Sequence, residues 1–100
     1  MITSRQHPEV KELLKLSQHK QRLRQGLFLA EGLRLVEDGL AASWTPVRLI
    51  VSPPLLSQRG KEAVSRWDYP RLELAPELMA LAGDTETSQG IMALFHLPER

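Results

Sequence analysis

The sequence predicts an α/β domain, a three-layer α/β/α sandwich around a small mixed sheet of about four strands. Three observations carry that expectation. Short apolar runs alternate along the chain with segments whose apolar residues recur every three or four positions, as strands separated by helices do. Proline or glycine stands at almost every change of period. The 100 residues are 42% hydrophobic and 25% charged with a net charge of +1, enough for one packed core and without the charge excess that keeps chains disordered.

The elements follow in order. Pro8 suits a first helical turn, and Val10, Leu13, Leu14 and Ser17 share a face opposite Lys11, Glu12 and Lys15, so Glu9 to Ser17 reads as a short amphipathic helix. Gln18 to Gly26 holds one apolar residue, Leu23, and reads as a basic, exposed and only partly helical connector. Leu27 to Ala30 is a short buried strand ending near Glu31. From Gly32 the period becomes helical, with Leu33, Val36 and Leu40 on one face as far as Ala42.

Val47 to Val51, closed by Ser52, Pro53 and Pro54, is a second strand. Leu56, Gly60, Ala63, Val64 and Trp67 then place a helix over Leu55 to Trp67, with Trp67 at a core edge. Arg71 to Leu74 alternates as a short strand, and Pro76 opens a helix that Gly83 ends. Ile91 to Leu97 is a last strand, stopped by Pro98. The resulting order is αβαβαβαβ, for which a largely parallel or mixed sheet with helices on both faces is expected.

Several classes of function are excluded at this level. No cysteine is present, and His7, His19 and His96 are scattered, so neither a disulfide framework nor a metal site is expected. No phosphate-cradling GxxxxGK, GxGxxG, GxSxG or HExxH occurs. Carboxylates adjoin at Glu37 and Asp38 and again at Asp84 and Glu86, but neighbours on a helix point about 100° apart and do not form an acid and base pair. No catalytic residue is assigned. The chain has no apolar run near the roughly 20 residues of a bilayer span and no apolar core of a secretory signal at its start, so a cytoplasmic location is expected.

Charge is unevenly spread. Met1 to Arg34 carries seven basic and three acidic residues, net +4, whereas the remainder carries six against nine, net −3. Phosphate binding depends on local clustering of Lys and Arg, so the N-terminal third is the expected face for a polyanion, with ordinary solvated surface as the competing explanation. Within it, Lys20, Arg22 and Arg24 lead through Gly26 to Phe28–Gly32 (FLAEG) and Arg34. A glycine at a strand-to-helix switch leaves the following amides free for a phosphate; alternatively Gly32 only permits a tight turn while Glu31 favours the helix dipole.

Three blocks match a known family in its order. Ile2 to Lys11 (ITSRQHPEVK) is similar to an opening in which a serine, an asparagine-proline pair and a valine-lysine pair lead into the first helix. Lys20 to Arg34 (KQRLRQGLFLAEGLR) runs from a basic segment into a glutamate-glycine turn and an arginine. Leu81 to Ala93 (LAGDTETSQGIMA) is similar to a threonine and glutamine-glycine segment before the last strand. The chain thus resembles the N-terminal substrate-binding domain of the SpoU/TrmH family of RNA ribose 2′-O-methyltransferases. His7 stands where asparagine is usual, and Ser88 where proline usually precedes the glutamine.

The resemblance implies a fold like that of ribosomal proteins that grip kinked RNA, with residues 1–100 forming one RNA substrate-binding domain. It implies rRNA or tRNA as partner and, by residue-by-residue carry-over, Arg5, Lys11, Lys20, Arg22, Glu31, Gly32, Arg34 and Gln89 as RNA-facing; Arg24 joins them on charge alone. It further implies no cofactor in this chain. S-adenosylmethionine, the catalytic arginine and a homodimer interface are expected on a second, knotted C-terminal domain, for which this chain would be the excised partner. A stand-alone ribosomal-type RNA-binding protein without enzymatic activity is the alternative; a protein-interaction or dimerisation domain is a third reading.

Overall fold

The computed structural model describes residues 1–16, 18–83 and 88–97. Its elements are α1 (Pro8–Leu16), α2 (His19–Arg24), β1 (Leu27–Glu31), α3 (Leu33–Ala41), β2 (Pro46–Val51), a 3-10 turn (Pro53–Leu55), α4 (Gln58–Arg66), β3 (Arg71–Glu73), α5 (Pro76–Ala82) and β4 (Ile91–His96). Ser17, the carboxylates of Asp84 and Glu86, Pro98 and the side chain of His19, all used in the sequence reading, lie outside the description.

The sheet is mixed, in the order β1-β4-β2-β3. β2 and β3 run parallel, while β4 runs antiparallel to both of its neighbours, β1 and β2. The last strand is therefore central. Its first five residues are all buried, which is what a strand covered on both faces requires and what the uninterrupted apolar run Ile91–Phe95 supplies.

Alternation along the strands builds two cores. Met92 and Leu94 of β4, with Leu27, Ile50 and Leu72, face Val10, Leu13 and Leu16 of α1 and Leu78, Met79 and Ala82 of α5. Ile91, Ala93 and Phe95, with Ala30, Leu49 and Val51, face Leu33 and Val36 of α3 and Ala63 and Val64 of α4. The three-layer sandwich is thus formed, with α1 and α5 on one side and α3 and α4 on the other. On the second side Phe28, Trp44 and Phe95 meet with ring centroids 5.0–5.7 Å apart, two of the three pairs edge-to-face. A Cβ on Gly39 would lie within 2.8 Å of both Trp44 and Phe95, so this glycine lets α3 settle on the aromatic group.

The Gln18–Gly26 connector is partly helical, as expected, with α2 inside it. One sequence expectation is revised. The helix expected from Leu55 starts at Gln58, because the Pro53–Leu55 turn intervenes and Ser57 caps α4 by accepting from the Gly60 amide at 3.0 Å. Ile2 bridges Leu74 in parallel, its amide donating to Glu73 O and its carbonyl accepting from Ala75 N, both at 2.8 Å. The chain start thereby covers the otherwise open edge of β3.

Candidate nucleic-acid interface

The expected site residues fall into three groups. The first surrounds the start of α1. The Ser4 hydroxyl accepts from the Gln6 amide at 3.1 Å and its carbonyl from His7 N at 3.2 Å, closing a turn that carries Arg5. His7 Nδ1 then accepts from the Glu9 amide at 3.2 Å. An asparagine at an N-cap can serve the same amide, so the histidine supplies the acceptor that residue would offer here.

Helical spacing sorts the charges of α1 to opposite flanks. Arg5, Gln6, Lys11, Leu14, Lys15 and Gln18 line an open cleft of about 510 Å³. Glu9 and Glu12 line a separate, smaller groove with Arg48, to which Glu9 is paired at 3.8 Å. A second ion pair, Arg59–Glu37 at 2.8 Å, lies away from this cleft, and Arg5, Lys11 and Lys15 share it without a carboxylate partner among the described residues. Lys15 was not among the expected site residues, although its place four residues after Lys11 is the signal that would have found it.

The second group is on α2, and here the structure divides what the sequence reading grouped. Lys20, Leu23 and Arg24 are exposed, Leu23 to 54%. Arg22 was expected on an exposed connector and is instead 9% exposed, its Nη1 donating to the Leu16 carbonyl at 3.3 Å. The reason is geometric: once the segment is helical, Arg22 turns inward, where its cation meets the C-terminal end of α1.

The third group is where β1 passes into α3. Gly32 has φ +93°, a conformation that suits glycine, and its amide donates to Ile91 O at 3.0 Å. Glu31, Gly32, Arg34, Leu35, Asp38 and Gln89 line a shallow depression of about 250 Å³. Gln89 Oε1 accepts from the Leu33 amide at 3.0 Å across 56 residues of sequence. The Leu33 amide is thus engaged rather than free for a phosphate, which corrects the expectation for this turn. The Glu31 carboxylate packs against the Cα of Gly83 and near Met92, where Gly83 has no Cβ to obstruct it. Arg34 is exposed.

At the neighbouring turn Gly90 has φ +84°, and its amide donates to Ser88 Oγ at 3.0 Å. Ser88, at the position where proline is usual, fixes this turn by a side-chain acceptor. His96, at the opposite end of β4, is exposed. No group of three or more potential metal ligands occurs among the described residues. No helix among them is long and apolar enough to cross a membrane.

The chain is a mixed-sheet α/β/α sandwich with a group of cations on one flank. It belongs to the MRM3-like substrate binding domain family, whose model matches residues 7–93. Among solved structures it is similar to an RNA 2′-O ribose methyltransferase, at 29% identity and a TM-score of 0.87, over 99% of this chain and 38% of that one. It is similar, at 28% identity and a TM-score of 0.74, to an AdoMet-bound rRNA methyltransferase from Sinorhizobium meliloti, over 99% of this chain and 37% of that one. A putative RNA methyltransferase of the TrmH family from Porphyromonas gingivalis matches at 28% identity and a TM-score of 0.69, over 100% and 37%. No curated protein matches the chain in sequence. The chain spans well under half the length of the solved structures it matches.

Proposed function

We propose that this chain binds RNA, ribosomal or transfer RNA, as the substrate-binding domain of a ribose 2′-O-methyltransferase, and positions one ribose for methyl transfer by a second domain. S-adenosylmethionine would be held by that second domain, which would also form a homodimer, and the protein would act in the cytoplasm. The sequence of this chain has no glycine-rich loop to hold such a donor, so no step of the transfer is placed on its residues. Their part is to hold the RNA still, which converts an encounter into a near-unimolecular reaction.

One observation carries this reading: Arg5, Lys11 and Lys15 converge on one cleft while the acidic residues of the same helix are turned away from it. Cations without internal partners remain available to phosphates, and each contact releases counterions and steepens the salt dependence of binding. Lys20, Arg24 and Arg34 extend the same chemistry over α2 and the start of α3. Gln89, Gly32 and Glu31 shape the turn between them.

The test is the triple substitution of Arg5, Lys11 and Lys15 by glutamine. All three side chains are exposed, so the melting temperature should hold. The log-log salt slope for binding partially hydrolysed ribosomal RNA should become shallower by roughly 2 to 3, at about 0.7 to 0.9 per contact. An unchanged slope in the folded variant would refute the cleft as the RNA face.

A further inference from the structure

Gln89 is exposed, yet its carboxamide is held in one orientation. Its Oε1, Cδ and Nε2 lie 3.4, 3.5 and 3.7 Å from the point where a Cβ on Gly32 would stand, so the planar group rests on the glycine. Because the Leu33 N–H faces it at 3.0 Å, the atom at that contact must be the oxygen. The amide nitrogen has no hydrogen-bond acceptor among the described residues. Exposed Arg34 and Leu35 line the same depression.

We propose that Gln89 is a specificity-determining residue, its oxygen spent on Leu33 and its fixed –NH₂ reading an acceptor on a base edge or ribose of the RNA; this rests on the RNA-binding reading above. The guanidinium of Arg34 attracts phosphate without regard to sequence, whereas the carboxamide is directional. Unstacked RNA presents base carbonyls, ring nitrogens and 2′-oxygens to such a donor. A donor already oriented by an internal hydrogen bond gives up little side-chain freedom when it binds. A Cβ at position 32 would meet the carboxamide at ordinary van der Waals distance, so it is the φ of +93° that calls for glycine in this turn.

Gln89→Glu separates the two roles, since a carboxylate still accepts from Leu33 but donates nothing. RNAs enriched from a randomised pool by the parent chain provide the probe, with a scrambled version of an enriched RNA as reference. The expected result is an unchanged melting temperature and a loss of about tenfold in affinity for the enriched RNA. The scrambled RNA should lose much less, and the deficit should persist at high salt, where simple charge repulsion is screened. Equal losses on both RNAs, or a deficit that vanishes at high salt, would overturn the proposal. Should the glutamate variant melt early, the side-chain amide resonances of Gln89 in the parent chain decide: a shift on adding the enriched RNA supports the donor role, and no shift removes it. Failure of the parent chain to enrich any RNA would overturn the RNA-binding reading itself, and this inference with it.

Discussion

Arg22 shows how one residue changes meaning between sequence and fold. Read along the chain it belongs with Lys20 and Arg24, and nothing in the local pattern separates them. In the structure its guanidinium closes the C-terminal end of α1 through the Leu16 carbonyl, and its aliphatic stem is covered. Arg22→Ala would leave that carbonyl unpaired and remove a charge-assisted hydrogen bond, a loss of about 2 kcal/mol. Thermal denaturation should show a fall in Tm of roughly 8 to 16 °C, with an undiminished salt slope for RNA binding in the folded fraction. His7 presents the opposite case. It stands where asparagine is usual in the family this chain resembles, and its Nδ1 accepts from the Glu9 amide as an N-cap asparagine would, so His7→Asn should leave Tm essentially where it is.

At the scale of elements, α2 is the least self-sufficient piece of the domain. Six residues are too few to form a helix alone in water, so its shape depends on packing against α1 and β1 and on Arg22. That support leaves Lys20 and Arg24, one helical turn apart, exposed together with Leu23. Replacing Lys20 and Arg24 by glutamine should leave Tm unchanged and reduce the salt slope by roughly 1.4 to 1.8, measured by fluorescence anisotropy across a salt series. An intact slope would confine the RNA face to the α1 cleft and the α3 turn. The strands were the more legible elements: Val47–Val51 and Ile91–Phe95 are apolar runs bounded by breakers, and both are core strands. The helix over Gln18–Gly26 was only partly legible because its residues carry no apolar face, its order coming from neighbours rather than from its own pattern.

At the scale of the whole molecule, the RNA-binding surface and the donor-binding chemistry are proposed to reside on different domains. Calorimetric titration of this chain with S-adenosylmethionine should therefore give no saturable heat; a micromolar dissociation constant, worth about −8 kcal/mol, would place a donor site on it. By itself the sequence determined the alternation of helices and strands, the faces that are buried, the concentration of cations in its first third and the absence of a catalytic motif. These are legible because periodicity and charge are local properties of the chain. Only the tertiary structure decided that β4 inserts antiparallel between β1 and β2, that Arg22 turns inward, that Lys15 joins Arg5 and Lys11, and that Gln89 reaches Leu33 across 56 residues. Each of these depends on which surfaces meet when loops close. An apolar run shows that a strand is buried but not which neighbour it pairs with, and an amide or a guanidinium finds its partner only after packing has brought the two segments together.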